Sequence, residues 1–206
     1  MTAKVQYLHP VVFVGENPNR TLYRPADDAP PVMVVAASFW RCTWSPAGAG
    51  SVLVVWADPE TSGLAEEAPR AVWADNEPLG RLVTGRFVQH FAEFRGRHIA
   101  EAAPRAADFT VRSGRDGSLS VTCTAGRRRI ELAWRAAEDP YLRAAEEPYG
   151  EVTYHVSSVL RPCGQADVAV DGRRLPGRPL RSELDGQPHS SAFLAYSETW
   201  VQLGAG

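Results

Sequence analysis

The segment from Asp108 to Arg135 constrains the fold most strongly, because strict alternation and two turn dipeptides predict three consecutive antiparallel strands. The turns fall at Asp116-Gly117 and Ala125-Gly126, and Asp-Gly readily supplies the positive φ angles of a tight hairpin. In the third strand, alternation predicts a buried face and a solvent face. The buried face comprises Ile130, Leu132 and Trp134, and the solvent face comprises Arg127, Arg129, Glu131 and Arg135. The segment is therefore predicted to be a three-stranded meander with one solvent-exposed face, which indicates an all-β protein.

Length and charge narrow the class of protein further. The chain has 206 residues, of which 44% are hydrophobic, so we predict one β domain over residues 1–206 with a substantial core. The formal net charge of −2 comes without a basic block, which argues against a nucleic-acid or membrane-surface partner. No apolar run approaches the ~20 residues of a membrane-spanning helix, and Met1 to Gly15 has no secretory-signal pattern. We therefore expect a cytoplasmic protein, and we leave open whether it forms a homodimer.

The sequence carries no signature of a metal or an organic cofactor. Cys42, Cys123 and Cys163 lie far apart, and we interpret them as buried free thiols. Lys4 is the only lysine, which disfavours Schiff-base and pyridoxal phosphate chemistry. No pair of histidines or of glutamate and histidine has metal-ligand spacing, and no glycine-rich phosphate loop is present. We predict neither a metal nor a cofactor.

Two strands and one helix are predicted ahead of the meander. Val32 to Trp44 and Ser51 to Trp56 are apolar on both faces over much of their length, so both faces must be covered or face a cavity. One main helix is predicted over about residues 77–94, capped by Asp75 or Asn76. Its apolar stripe would pack against the sheet or plug a barrel mouth. The stripe comprises Leu79, Leu82, Val83, Phe87, His90, Phe91 and Phe94.

Shorter segments complete the predicted architecture. Further strands are predicted at Val11–Val14, Arg70–Ala74, Gly150–Pro162, Gln165–Val170 and Ser190–Leu203. The segment from Glu16 to Pro31 is predicted to be a lid or binding loop, and Asp139 to Glu147 a second helical turn or two. Roughly eight to ten short strands with one main helix are typical of a barrel or a sandwich.

One C-terminal segment adds a family resemblance. The stretch from Ala166 to Gly177, with its Asp171-Gly172 turn, resembles the segment that precedes the last barrel strands in lipocalin-like (calycin) proteins of the AttH and carotenoid-hydratase type. The Asp-His-x-x-Gly element usual after this point is replaced here by the residues from Pro188 to Ser191. The resemblance implies an antiparallel meander closing into a lipocalin-like β-barrel around a ligand cavity, in a group that includes hydratases and pericyclic cyclases.

Glu198 is the first candidate for a catalytic residue. Along the last predicted strand, Tyr196, Glu198 and Trp200 share one face. A carboxylate between two aromatic residues would be partly desolvated, which raises its pKa toward the range of general acid or base catalysis. The alternative is a glutamate on the outer surface of the sheet, since glutamate is seldom buried.

Histidines and aromatic residues supply the other candidates. His155 is predicted to assist Glu198 if it faces the cavity, and the alternative is that it faces water. His90 lies on the apolar stripe of the helix and is predicted to face the barrel, either at the site or as a hydrogen-bonded core histidine. The predicted substrate-binding residues are Trp40, Trp44, Tyr154, Tyr196, Trp200 and His90.

These observations favour a cofactor-independent enzyme of secondary metabolism that acts on a mostly apolar organic molecule inside the barrel. Cyclisation, isomerisation and hydration or dehydration need shape, a few polar contacts and at most one acid–base pair. The alternatives are a noncatalytic carrier of small hydrophobic ligands and a structural interaction module. An inward Glu198 or His155 would favour the enzyme, whereas an entirely apolar lumen would favour the carrier.

Overall fold

The computed structural model describes residues 10–26 and 29–205, and strands dominate it. The first eight strands are β1 (Val11–Glu16), β2 (Asn19–Ala26), β3 (Ala29–Trp44), β4 (Gly50–Ala57), β5 (Arg70–Ala74), β6 (Arg105–Ala106), β7 (Asp108–Ser113) and β8 (Leu119–Ala125). The remaining strands are β9 (Arg128–Ala137), β10 (Tyr141–Tyr149), β11 (Val152–Val170), β12 (Arg173–Arg174), β13 (Arg181–Leu184), β14 (Gln187–Ser190) and β15 (Ala192–Ala205). One α-helix, α1 (Glu77–Arg86), and three short 3-10 turns complete the described residues.

Thirteen of these strands form one sheet that closes into a barrel. Its main path runs β6-β5-β4-β3-β1-β15-β11-β9-β8-β7, with β2, β10 and β12 paired to strands of that path. All pairs are antiparallel except β5 with β6. The two end strands, β6 and β7, are separated in the chain by Ala107 alone, so the ends of the sheet meet. The predicted all-β barrel with one main helix is confirmed.

The meander of β7, β8 and β9 forms as the alternation predicts. Val121 lies opposite Val111 on one side and Leu132 on the other. Ile130, Leu132 and Trp134 are at most 1% exposed, whereas Arg129 and Arg135 face solvent. The predicted strand register is therefore correct.

Strands β3 and β4 are covered on both faces, as their apolar sequences require. One face contributes Val35, Ala37, Phe39, Leu53 and Val55 to a core shared with the meander, which we call the meander core. The opposite face contributes Ala36, Trp40, Val52 and Val54 to a core beneath α1, which we call the helix core. Alternation along a strand explains the division, because neighbouring side chains point to opposite faces.

Strand β11 connects the two halves of the sheet. The sequence predicts two strands here, at Gly150–Pro162 and Gln165–Val170, but the chain forms one strand of 19 residues from Val152 to Val170. Its first part pairs with β10 and β15, and its last part pairs with β9 and β12.

Helix α1 is shorter than the predicted 77–94. Asn76 caps it, with its Oδ1 accepting a hydrogen bond of 3.2 Å from the backbone nitrogen of Leu79. The helix ends at Arg86, because Phe87 adopts φ −122° and ψ −67°. Phe87 and Val88 are both fully buried, although adjacent side chains on a helix point about 100° apart. An irregular path buries both, whereas a straight helix would expose one of them.

Two segments predicted to be irregular or helical are strands. The predicted loop from Glu16 to Pro31 contains β2, which pairs with β3. Of the predicted helical turns from Asp139 to Glu147, residues 141–147 lie in β10, which pairs with β11 over its whole length. Alanine and glutamate favour a helix locally, but sheet pairing overrides that preference in β10.

The described helix and the cysteines add two observations. No helix among the described residues is long and apolar enough to cross a membrane. Cys42, Cys123 and Cys163 are free and buried, as the sequence predicts.

Candidate functional site

A β-bulge at Ser197 determines which side chains of β15 reach the candidate site. Val159 of β11 lies opposite Tyr196 and Ser157 lies opposite Thr199, so β15 carries one extra residue between these pairs. Ser197 has φ +50°. Because one extra residue reverses the facing of a strand, the side chains before and after the bulge point to opposite faces. Tyr196 packs against the meander core, and the prediction that it shares a face with Glu198 is wrong.

Glu198 and Trp200 face a cavity of about 540 Å³, which we call the Glu198 pocket. Its wall comes from β10, β11, β13, β14, β15, the start of β2 and the segment after α1. The ring-bearing side chains that line it are His90, Phe91, Tyr149, His189, Phe193 and Trp200. The polar side chains include Asn17, Asn19, Glu93, Arg143, Ser158 and Glu198. Such a cavity, mostly apolar with a few convergent polar groups, is typical of a small-molecule site.

Glu198 is buried with its carboxyl group held in place. Only 5% of the residue is exposed, and its Oε1 accepts a hydrogen bond of 2.6 Å from Nε1 of Trp200. Burial raises the pKa of Glu198 to about 7, against the opposing effects of the Trp200 and Ser158 side chains. A carboxyl group with this pKa is present in both protonation states near neutral pH, which suits general acid or base catalysis.

Two more buried polar atoms line the pocket without partners among the described residues. They are Oγ of Ser158, which lies beside the Glu198 carboxylate without a well-formed hydrogen bond, and Oδ1 of Asn19. Each residue is 4% exposed. Buried polar atoms without partners are rare in folded proteins, so these atoms indicate where a polar group of a ligand would bind.

Stacked rings form one wall of the pocket. His90 stacks on Tyr149 with ring centroids 5.4 Å apart and an interplanar angle of 11°, and Tyr149 lies 5.3 Å from Trp200. Burial lowers the pKa of His90, with a further contribution from Arg95, which favours the neutral ring over the protonated one. Burial raises the pKa of Tyr149, and the neighbouring Glu147, Glu198 and Glu93 carboxylates raise it further. His90 therefore belongs to the site as a neutral stacking ring.

Of the other aromatic candidates, two support the wall and one lies elsewhere. Trp40 is fully buried in the helix core, with its ring centroid 5.9 Å from that of Trp200. Tyr154 is 2% exposed, and its centroid lies 5.7 Å from that of Trp200. Both therefore form a second layer behind Trp200. Trp44, near the end of β3, is 49% exposed and does not line the pocket.

The predicted pair of Glu198 and His155 does not form. Val156 and Ser158 of β11 line the pocket, so His155 points to the opposite face of that strand. His155 lies opposite Glu146 on one side and Val201 on the other. The inward placement of Glu198 is correct, but its predicted partner is not in the pocket.

Charged and titratable residues line the part of the pocket formed by β10 and β14. Arg143 pairs with Glu147 at 2.7 Å and with Asp185 at 2.8 Å. The ring of His189 lies 2.9 Å from the hydroxyl of Tyr141, and burial lowers the pKa of His189. The sequence pattern does not indicate that Asn19, Ser158 or these charged residues belong to the site. Asn19 lies in a segment predicted to be a loop, and Arg143 lies in a segment predicted to be helical. Alternation along a strand therefore could not predict the direction of either side chain.

Neither a metal cluster nor a relative identifies the site. Within residues 10–26 and 29–205, no group of three or more histidine, cysteine, aspartate or glutamate residues could hold a metal ion. Comparisons with protein-family models, curated proteins and solved structures give no match. The candidate function therefore rests on the geometry of the Glu198 pocket.

Proposed function

We propose that this chain is a cofactor-independent enzyme that transfers a proton to or from a mostly apolar organic molecule in the Glu198 pocket. Cyclisation, isomerisation and hydration or dehydration are the reaction classes that this chemistry fits. The supporting observation is a buried carboxyl group whose pKa is raised to about 7 and which faces a cavity of about 540 Å³. A lipocalin-like relationship and a cytoplasmic setting belong to the same proposal.

The environment of Glu198 suits both directions of proton transfer. Trp200 donates its indole N–H to Oε1 and fixes the carboxyl plane. Oε2, which accepts no hydrogen bond from Trp200, is the oxygen that would meet the substrate. Below pH 7 the protonated carboxyl group would donate a proton, and above pH 7 the carboxylate would accept one.

Stacked rings and unpartnered polar atoms would orient the substrate. The ring faces of Tyr149 and Trp200 would contact its apolar body, while Asn19 and Ser158 would bind a polar group near the reacting atoms. Positioning of this kind lowers the barrier because the substrate gives up its freedom of movement on binding rather than in the chemical step.

The alternative function is a noncatalytic carrier of small ligands, which would need the same aromatic wall. A carrier has no use for a desolvated carboxyl group, and placing one there penalises its charged form. The buried Glu198 is therefore the observation that favours an enzyme.

A generic proton-transfer reaction tests this proposal without knowledge of the substrate. The uncharged aromatic probe 5-nitrobenzisoxazole loses its carbon-bound proton to a base while its N–O bond breaks, giving a coloured cyanophenolate. We expect the protein to accelerate this elimination, with a rate that rises with pH through about 7 as Glu198 ionises. Glu198→Gln should abolish the acceleration, because the amide keeps the shape and cannot accept the proton.

Glu146→Gln is the matched control, because Glu146 lies on the exposed face of β10, outside the pocket. It should leave the elimination rate unchanged. An equal rate in Glu198→Gln and the unsubstituted protein, measured by absorbance of the product, would remove Glu198 from the mechanism and leave the carrier as the better account.

A further inference from the structure

Carboxylates outnumber free cations around the Glu198 pocket, which bears on the charge of its ligand. Glu93, Glu147 and Glu198 line the cavity, and all three influence the hydroxyl of Tyr149. Of the two arginines that line it, Arg143 is already paired with Glu147 and Asp185. Arg95 is exposed, and its guanidinium donates to the backbone oxygen of His90.

Glu93 is the carboxylate of this set that has neither an ion pair, as Glu147 has, nor a side-chain hydrogen bond, as Glu198 has, among the described residues. It is partly buried, no described basic residue forms an ion pair with it, and Arg97 contacts only its backbone oxygen. Burial deprives its charged form of full solvation and thereby raises its pKa. A cation delivered by a ligand would supply that pairing.

Aromatic faces next to these carboxylates favour the same kind of ligand. Phe91, Tyr149 and Trp200 line the pocket together with Glu93 and Glu198, and the ring centroid of Tyr149 lies 6.0 Å from that of Phe91 and 5.3 Å from that of Trp200. Ring faces attract organic cations through the aromatic quadrupole, and desolvation strengthens the attraction. The unpartnered atoms of Asn19 and Ser158, both 4% exposed, independently show that the pocket is prepared for a ligand.

We propose that Glu93 recognises a positively charged nitrogen, a protonated amine or quaternary ammonium group, on a ligand whose apolar body packs against Tyr149 and Trp200. This inference rests on the proposed function in using the same pocket, and it assigns the ligand class and a specificity residue. Glu93 binds the charge near the segment that follows α1, while Glu198 acts on the other end of the molecule.

A charged probe and its neutral isostere test the inference. Choline and 3,3-dimethylbutan-1-ol have the same shape and differ in the charge on one atom. We expect choline to bind the full chain about tenfold more tightly at about pH 8, because a higher pH favours the charged form of the carboxyl groups. The dissociation constants would come from NMR titration of the Trp200 indole N–H, which lies in the pocket.

Glu93→Gln should bring the two dissociation constants to within about twofold while leaving the binding of the neutral alcohol unchanged. Glu66→Gln, an exposed position outside the pocket that makes the same change in net charge, should keep the preference for choline. Equal binding of the two probes, no binding of choline, or a preference that survives Glu93→Gln would overturn the inference.

The two proposals fail independently. A loss of charge preference with Glu198→Gln but not with Glu93→Gln would place the cation at Glu198 and overturn the role of Glu93. If the protein does not accelerate the elimination of 5-nitrobenzisoxazole but still binds choline more tightly than the neutral alcohol, the proposed enzyme is rejected and the cation site is retained.

Discussion

Glu198 links the candidate site to the stability of the fold, because its protonation differs between the folded and unfolded chain. Its pKa is about 7 when folded, against 4.5 as the ordinary value. Between these values the folded state binds more protons than the unfolded state, so stability decreases as pH rises. At about 1.36 kcal/mol per pKa unit, the full penalty above pH 7 is about 3 kcal/mol.

Glu198→Gln should remove this pH dependence, since glutamine does not titrate and its side-chain oxygen can still accept from Trp200. We expect the variant to be more stable than the unsubstituted protein by about 3 kcal/mol at about pH 8, and nearly equal to it at about pH 4. Urea unfolding at the two pH values measures the difference, and Glu146→Gln provides the surface control. A difference that does not change with pH would show that Glu198 has an ordinary pKa.

At the scale of single elements, the bulge in β15 positions the site. Ser197 has φ +50°, in a region that side-chain-bearing residues rarely adopt. The extra residue reverses the facing of β15 between Tyr196 and Glu198, which places an aromatic residue in the meander core and a carboxylate in the pocket. Because of this one bulge, β15 contributes Tyr196 to the meander core and Glu198 to the candidate site.

Substitutions at Ser197 should follow the backbone angle rather than side-chain contacts. Ser197→Val should destabilise the protein by about 1–2 kcal/mol, because a β-branched residue is strained at positive φ. Ser197→Gly should be neutral or stabilising, since glycine adopts this conformation freely. Ser120→Val on β8, which pairs regularly with both neighbouring strands, is the control at an ordinary strand position, with thermal unfolding as the measurement. A glycine variant less stable than the valine variant would contradict the bulge.

Local signals in the sequence account for much of the fold and less of the site. The meander was predictable because Asp116-Gly117 and alternation act over short distances. Strand β10 was not, because its residues favour a helix until β11 pairs with them. The bulge gave no signal, since position 197 is serine rather than glycine. Glu198 was selected through its neighbour Trp200, whereas Asn19 reaches the pocket only through long-range pairing of β2.

At the scale of the whole molecule, the two cores are joined through shared strands. Strands β3 and β4 place alternate side chains in the meander core and the helix core, so neither core can come apart without exposing the other. Cooperative two-state unfolding is expected of such an arrangement.

Cavity-forming substitutions in either core should therefore lower one common transition. We expect Leu132→Ala in the meander core to cost about 2–5 kcal/mol and Phe87→Ala in the helix core about 3–5 kcal/mol. Far-UV and near-UV circular dichroism in urea should report the same midpoint for each variant. Separate midpoints in Leu132→Ala would show that the cores unfold independently.

The pairing of β1 with β15 has a consequence for how the chain acquires its site during synthesis. Val11 lies opposite Val201, so the two halves of the sheet are joined through contacts between residues far apart in the sequence. Contacts this distant form slowly, and a nascent chain on the ribosome cannot make them until β15 has emerged. Glu198 lies on that strand, so the pocket around its carboxyl group can form only after β15 has joined the sheet.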